Sequence, residues 1–148
     1  MALRPTLLAV ASTVALASCA SVALQRGTEV VVEMINAGDA AALAASSAAP
    51  FLLDDELLVR ADDVSEFWQL ATAAGLQLEV VEVSVERLAA DGPPEYAKTM
   101  DVRTFLTSAL PRRTRLVRVT LTAGSVLFLL ERVTGGVPIM HGFKGPGA

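Results

Sequence analysis

The sequence is poor in the residues that most often carry chemistry. Its 148 residues include one cysteine, one histidine, one tyrosine and one tryptophan. A single cysteine excludes an intrachain disulfide and any Cys-x-x-Cys pair. There is no P-loop, no dinucleotide glycine fingerprint and no internal repeat. Ser65, Ser84, Ser108 and Ser125 lack a nucleophile-elbow context, so no Ser/His/Asp set can be assembled. Basic residues number 12 against 16 acidic, a net charge of −4. That balance argues against a nucleic-acid partner, whose binding surface is normally basic.

Apolar residues are plentiful, at 53% of the chain. The length suffices for one domain with a real core. Part of the apolar excess lies at the start. Met1–Arg4 is short and positively charged, Thr6–Ala17 is apolar, and small residues follow. This is the pattern of an export signal, too short for a comfortable membrane span. Arg4 is the only charge within residues 1–18. Without that segment the chain carries 11 basic and 16 acidic side chains, a net −5.

Leu16-Ala17-Ser18-Cys19 closes this segment and resembles the lipobox of bacterial lipoproteins. The resemblance implies a signal peptide over 1–18, cleaved between Ser18 and Cys19. It also implies acyl chains on the Cys19 sulfur, palmitate among them, and a lipidated tether over 19–27. The implied address is the cell envelope, with the membrane as a partner through the lipid anchor. Each buried CH₂ of such an anchor contributes about 0.8 kcal/mol. In that family an Asp after the cysteine marks inner-membrane retention. Ala20 stands there instead, which implies the periplasmic face of the outer membrane in a Gram-negative organism.

Residues 28–148 read as a single domain. Thr28 is expected to cap a helix to about Ile35, with Val31, Met34 and Ile35 on one face. Asn36-Ala37-Gly38-Asp39 is a corner: Gly38 suits a left-handed helix end and Asp39 an N-cap. A second helix runs from Ala40 to about Ser47. Phe51–Leu53 and Leu57–Val59 form a hairpin with a solvated acidic tip, Asp54-Asp55-Glu56. A third helix follows from Asp63 to Gly75, with Val64, Phe67, Trp68 and Ala71 as its apolar stripe. Gln77–Arg87 alternates as a strand, and Val102, Phe105, Leu106 and Ala109 have helical spacing before Pro111.

The centre of the chain is the strand pair Arg115–Val133 around Ala123-Gly124. A two-residue loop there pairs Thr122 with Ser125, Val119 with Phe128 and Val117 with Leu130. One face is then wholly apolar: Val117, Val119, Leu121, Val126, Phe128 and Leu130. The other is partly wet, and its Thr120, Leu127 and Leu129 could meet a second copy as a homodimer. A turn at Gly135-Gly136 leads to a last strand, Val137–Phe143, and places His141 opposite Leu130.

The fold class is therefore α+β, a curved, mainly antiparallel sheet covered by about three N-terminal helices. This order, the Asn36–Asp39 corner and the closing strand resemble the nuclear transport factor 2-like, or ketosteroid isomerase-like, cone. The resemblance implies a pocket inside the cone, with His141, Phe128, Leu130, Val117 and Trp68 as candidate lining. Ketosteroid isomerase-like enzymes use a pocket Asp as base and a Tyr with an Asp as oxyanion donors. Neither Tyr96 nor Asp101 can be matched to those positions from the sequence, so catalytic residues stay unassigned. Arg112, Arg113, Arg115 and Arg118 form a basic cluster, read first as a solvated strand start offset by Glu131 and the acidic remainder, and otherwise as a contact for an anionic lipid or a carboxylate. Nothing calls for a metal or a cofactor. The expected function is a non-catalytic, lipid-anchored module that binds a small apolar ligand or a protein partner. The alternative is a small acid–base isomerase or dehydratase using His141 in the cone pocket, with Asp101 or Tyr96 beside it.

Overall fold

The computed structural model describes the backbone of residues 8–146 and the side chains from residue 19 onward. Met1–Arg4 and the last two residues of the turn-rich end lie outside that range. The elements are α1 (Leu8–Asn36), α2 (Ala40–Ala45), β1 (Ser47–Leu53), β2 (Glu56–Leu58), α3 (Ala61–Ala73), β3 (Val80–Arg87), α4 (Met100–Thr104), β4 (Thr114–Leu121), β5 (Gly124–Glu131) and β6 (Ile139–Lys144). α4 widens into a π-helical turn over Phe105–Ala109. One six-stranded sheet runs in the order β2-β1-β6-β5-β4-β3. Its pairs are antiparallel except β1 with β6, which is parallel. The α+β class and the three N-terminal helices stand as expected.

The start of α1 corrects the expected tether. Residues 19–27 continue the helix, and Leu24 is already buried. Alanine, leucine, glutamine and arginine between Ala20 and Arg26 favour helix. Thr28 therefore caps nothing; it is buried mid-helix, its hydroxyl donating to the Leu24 carbonyl at 2.7 Å. Gly27 is the one weak helix former, and its missing Cβ makes room for Pro138: a Cβ there would meet two ring carbons at 2.9 Å.

The corner after α1 forms as expected. Gly38 adopts φ 69°, and the Asp39 carboxylate accepts from the Ala42 N–H at 3.1 Å. Asn36 then fixes the far side of the fold. Its amide oxygen accepts from the Leu78 N–H at 2.7 Å, and its NH₂ donates to the Leu78 carbonyl at 3.0 Å. That clamp sets the approach of β3 to the end of α1.

The central hairpin pairs Val119 with Val126, Val117 with Phe128 and Arg115 with Leu130. Its turn is Thr122-Ala123, one residue earlier than expected. The pairing therefore slips by two positions, and a slip of two keeps every side chain on its face. Val117, Val119, Val126, Phe128 and Leu130 duly pack beneath α1, α2 and α3, with Val31, Ile35, Leu43, Val64 and Trp68.

The opposite face is wet only in part: Thr120 and Ser125 stay half-buried and Thr122 exposed, but its leucines are covered. Leu116, Leu127 and Leu129 join Leu52, Tyr96, Val102, Phe105 and Leu106 in a second core. The segment carrying α4 and the π-turn crosses the sheet and covers it. Leu127 and Leu129 are buried by their own chain, so they offer no face to a second copy.

Candidate functional site

Four of the five expected pocket residues are core. Trp68, Val117, Phe128 and Leu130 each show 0% exposure, so no cavity that admits water reaches them. Phe51, Phe67, Trp68, Phe128 and Phe143 stack as one aromatic cluster, with neighbouring centroids such as Phe67–Trp68 at 4.6 Å and Phe128–Phe143 at 5.2 Å. The Trp68 indole donates to the Ser47 hydroxyl at 3.0 Å, and Ser47 donates to the Leu43 carbonyl at 2.8 Å. The interior between the sheet and the helices is filled by its own side chains.

His141 leaves that face altogether. A β-bulge interrupts β5–β6: Leu129 pairs with Gly142, but Leu130 pairs with Met140. The extra residue is His141. Met140 takes the inward place, fully buried, and the imidazole Nε2 lies 3.0 Å from Glu131 Oε1. Its partner is thus a carboxylate that sequence reasoning did not pair with it, rather than Asp101 or Tyr96. Neither His141 nor Glu131 borders any of the three principal cavities. Tyr96 is buried in the second core, where burial first and the nearby Glu95 second hold its phenol protonated far above the ordinary range. Asp101 lies on α4 beside a groove.

The acidic tip is a clasp. Asp54, at φ 51°, accepts from the Gly145 N–H at 2.9 Å. Asp55 accepts from the Ala97 N–H at 2.8 Å and from Lys144 Nζ at 3.1 Å. The Ala97 N–H, with Lys144 behind it, outweighs slight desolvation and holds the Asp55 carboxyl below its ordinary value.

The arginines regroup. Arg118 turns away to pair with Glu86 at 3.4 Å and, more closely, with Glu95. Burial raises the Glu95 carboxyl, but the Arg118 guanidinium more than offsets it, and the net shift is downward. Arg113 and Arg115 are joined instead by Arg87 and Arg132. The antiparallel order brings the end of β3, the start of β4 and the end of β5 to one edge, where Arg87 pairs directly with Arg115. On the helix-covered face these two stand two residues beyond Val85 and Val117, so an apolar face turns basic under the early part of α1. The result is a cleft of about 470 Å³ lined by Arg87, Arg113, Arg115 and Arg132, with Ala20 and Ser21 on its rim. Glu86 also lines it, but is engaged by Arg118. Among the described residues none of the four arginines has a carboxylate within ion-pair distance.

A second open feature lies between the β1–β2 hairpin and α4. This groove of about 700 Å³ is lined by Leu57, Val59, Met100, Val102 and Phe105, with Asp55 and Asp101 at its edge. Val59 is 70% and Met100 82% exposed. No group of three or more metal-binding side chains occurs among the described residues. No helix among them is long and apolar enough to cross a membrane. The chain matches no known family, no curated protein and no solved structure.

Proposed function

We propose that this chain is a lipid-anchored, extracytoplasmic, non-catalytic binding module built on a nuclear transport factor 2-like cone. The element order, the Asn36–Asp39 corner and the last strand closing beside the first hairpin support the cone. Leu16-Ala17-Ser18-Cys19, with an exposed Cys19, supports the anchor. The observation that carries the non-catalytic reading is the closed interior: Phe51, Trp68, Phe128, Leu130 and Met140 leave no room where an isomerase would hold its substrate. Binding then falls to the surface. The groove at Val59 and Met100 suits a small apolar ligand or an apolar side chain of a protein partner, because two large apolar groups stand in water there without local cover.

Two measurements test this reading. Metabolic labelling with a palmitate analogue should mark the wild-type chain and not Cys19→Ala; equal labelling removes the anchor. Mass spectrometry of the purified chain should find a stoichiometric small molecule or protein that Met100→Glu loses. If the variant retains the same companion, the groove is not the site.

The acid–base alternative keeps one observation, the His141–Glu131 pair at 3.0 Å. A general base must reach the proton it removes, and the principal cavities lie elsewhere. The pair instead ties the bulged strand β6 to the end of β5.

A further inference from the structure

We propose that the arginine cleft binds a phosphate group, and that the anchored chain uses it to hold the head of an anionic phospholipid. Four arginines line one concave site of about 470 Å³, and Arg115 Nη1 already donates to the Arg112 and Thr114 carbonyls at 3.1 and 3.0 Å. Arginine stays charged at any physiological pH, so the four repel one another across the cleft. The fold brings them together through β3–β4–β5 pairing while directing Glu86, the one acid in the cleft, to Arg118. An anion relieves that repulsion. A carboxylate offers two oxygens, enough for one or two forked donors. A phosphate offers more and suits several guanidiniums at once.

Position gives the source of that phosphate, and this part rests on the Cys19 anchor proposed above. Ala20 and Ser21 lie on the cleft rim, next in sequence to Cys19. Residues 19–27 are helical, so no flexible spacer separates the acyl chains from the body. A lipid on Cys19 brings the cleft to headgroup depth, where each arginine adds attraction to an anionic surface.

The test uses the full chain, with two double variants of equal charge change. Arg113→Gln with Arg132→Gln removes two exposed cleft arginines. Arg60→Gln with Arg103→Gln removes two elsewhere. In the first arm, glycerol phosphate is titrated calorimetrically. In the second, Cys19→Ala chains, free of acyl contributions, are floated with phosphatidylcholine vesicles with or without phosphatidylglycerol. The cleft variant should lose about tenfold or more in at least one arm, the control pair little, and both should melt like wild type. Binding in the vesicle arm alone assigns the site to a lipid head. Binding of glycerol phosphate without dependence on phosphatidylglycerol assigns it to a soluble phosphate ligand. Equal losses in both double variants, or no binding in either arm, overturn the proposal. Palmitate labelling reads the anchor separately, so a failed anchor and a failed cleft give different results.

Discussion

Asn36 brackets Leu78, taking its N–H at 2.7 Å and giving to its carbonyl at 3.0 Å. Both backbone groups of Leu78 are satisfied by one side chain from the end of α1. Asn36→Ala leaves them without those partners at the entrance to β3, and should cost about 1–3 kcal/mol. Gln77→Ala, which removes an exposed bond to the Asn36 carbonyl, should cost little. Equal losses in a thermal melt would show that the bracket does not hold β3.

Val119→Asp should unfold the domain. Val119 is fully buried beneath the helices, and an unpaired carboxylate there costs several kcal/mol. Thr120→Asp, one residue on and partly exposed, should be mild. Circular dichroism on both variants separates the faces; similar spectra and melting temperatures would refute the assigned register.

At Gly142 a Cβ would meet the Leu52 carbonyl oxygen and Leu129 Cδ1, each at 2.9 Å. The backbone contact cannot yield without moving β1 from β6. Gly142→Ala should therefore lose about 1–3 kcal/mol in denaturant unfolding. Gly136→Ala, whose nearest neighbour is 3.8 Å away, should stay within about 0.5 kcal/mol. The reverse ranking would contradict the β1–β6 contact.

Glu95 gives the domain an acid-sensitive element. Its folded value lies below its unfolded one, so its contribution is complete above the unfolded value. It is lost as pH falls through the folded value, when protonation breaks the pair with Arg118. Glu95→Gln should flatten this part of the stability profile on the acid side and leave Asp55, also depressed, to carry the remainder. Urea midpoints across an acid series would show it; an unchanged slope would place the sensitivity elsewhere.

The elements were legible in the sequence because each carries a local signal. The 3.6-residue stripe of Val64, Trp68 and Ala71, the Asn36–Asp39 corner and the alternation of β3 all depend on neighbours in the chain. What crosses the sheet was not legible. Val102, Phe105 and Leu106 show helical spacing, but spacing does not say which surface they cover. Leu127-Phe128-Leu129-Leu130 did hold a usable signal, since an unbroken apolar run fits a strand buried on both faces. The bulge that removes His141 from the interior arises from one unpaired residue and leaves no mark in composition. The arginine cleft joins Arg87 to Arg132 through two strand pairings, and only the register brings them together.

The parallel seam between β1 and β6 also sets an order of events. β1 ends at Leu53 and its partner begins at Ile139, so the two are joined only after every intervening element has been delivered. Loop-closure entropy must be overcome before that long-range pairing is rewarded, and contacts so distant in sequence slow folding. Until β6 arrives, β1 has β2 on one side and an open edge on the other. A chain emerging from its N-terminus thus stays unclosed until β6 is available.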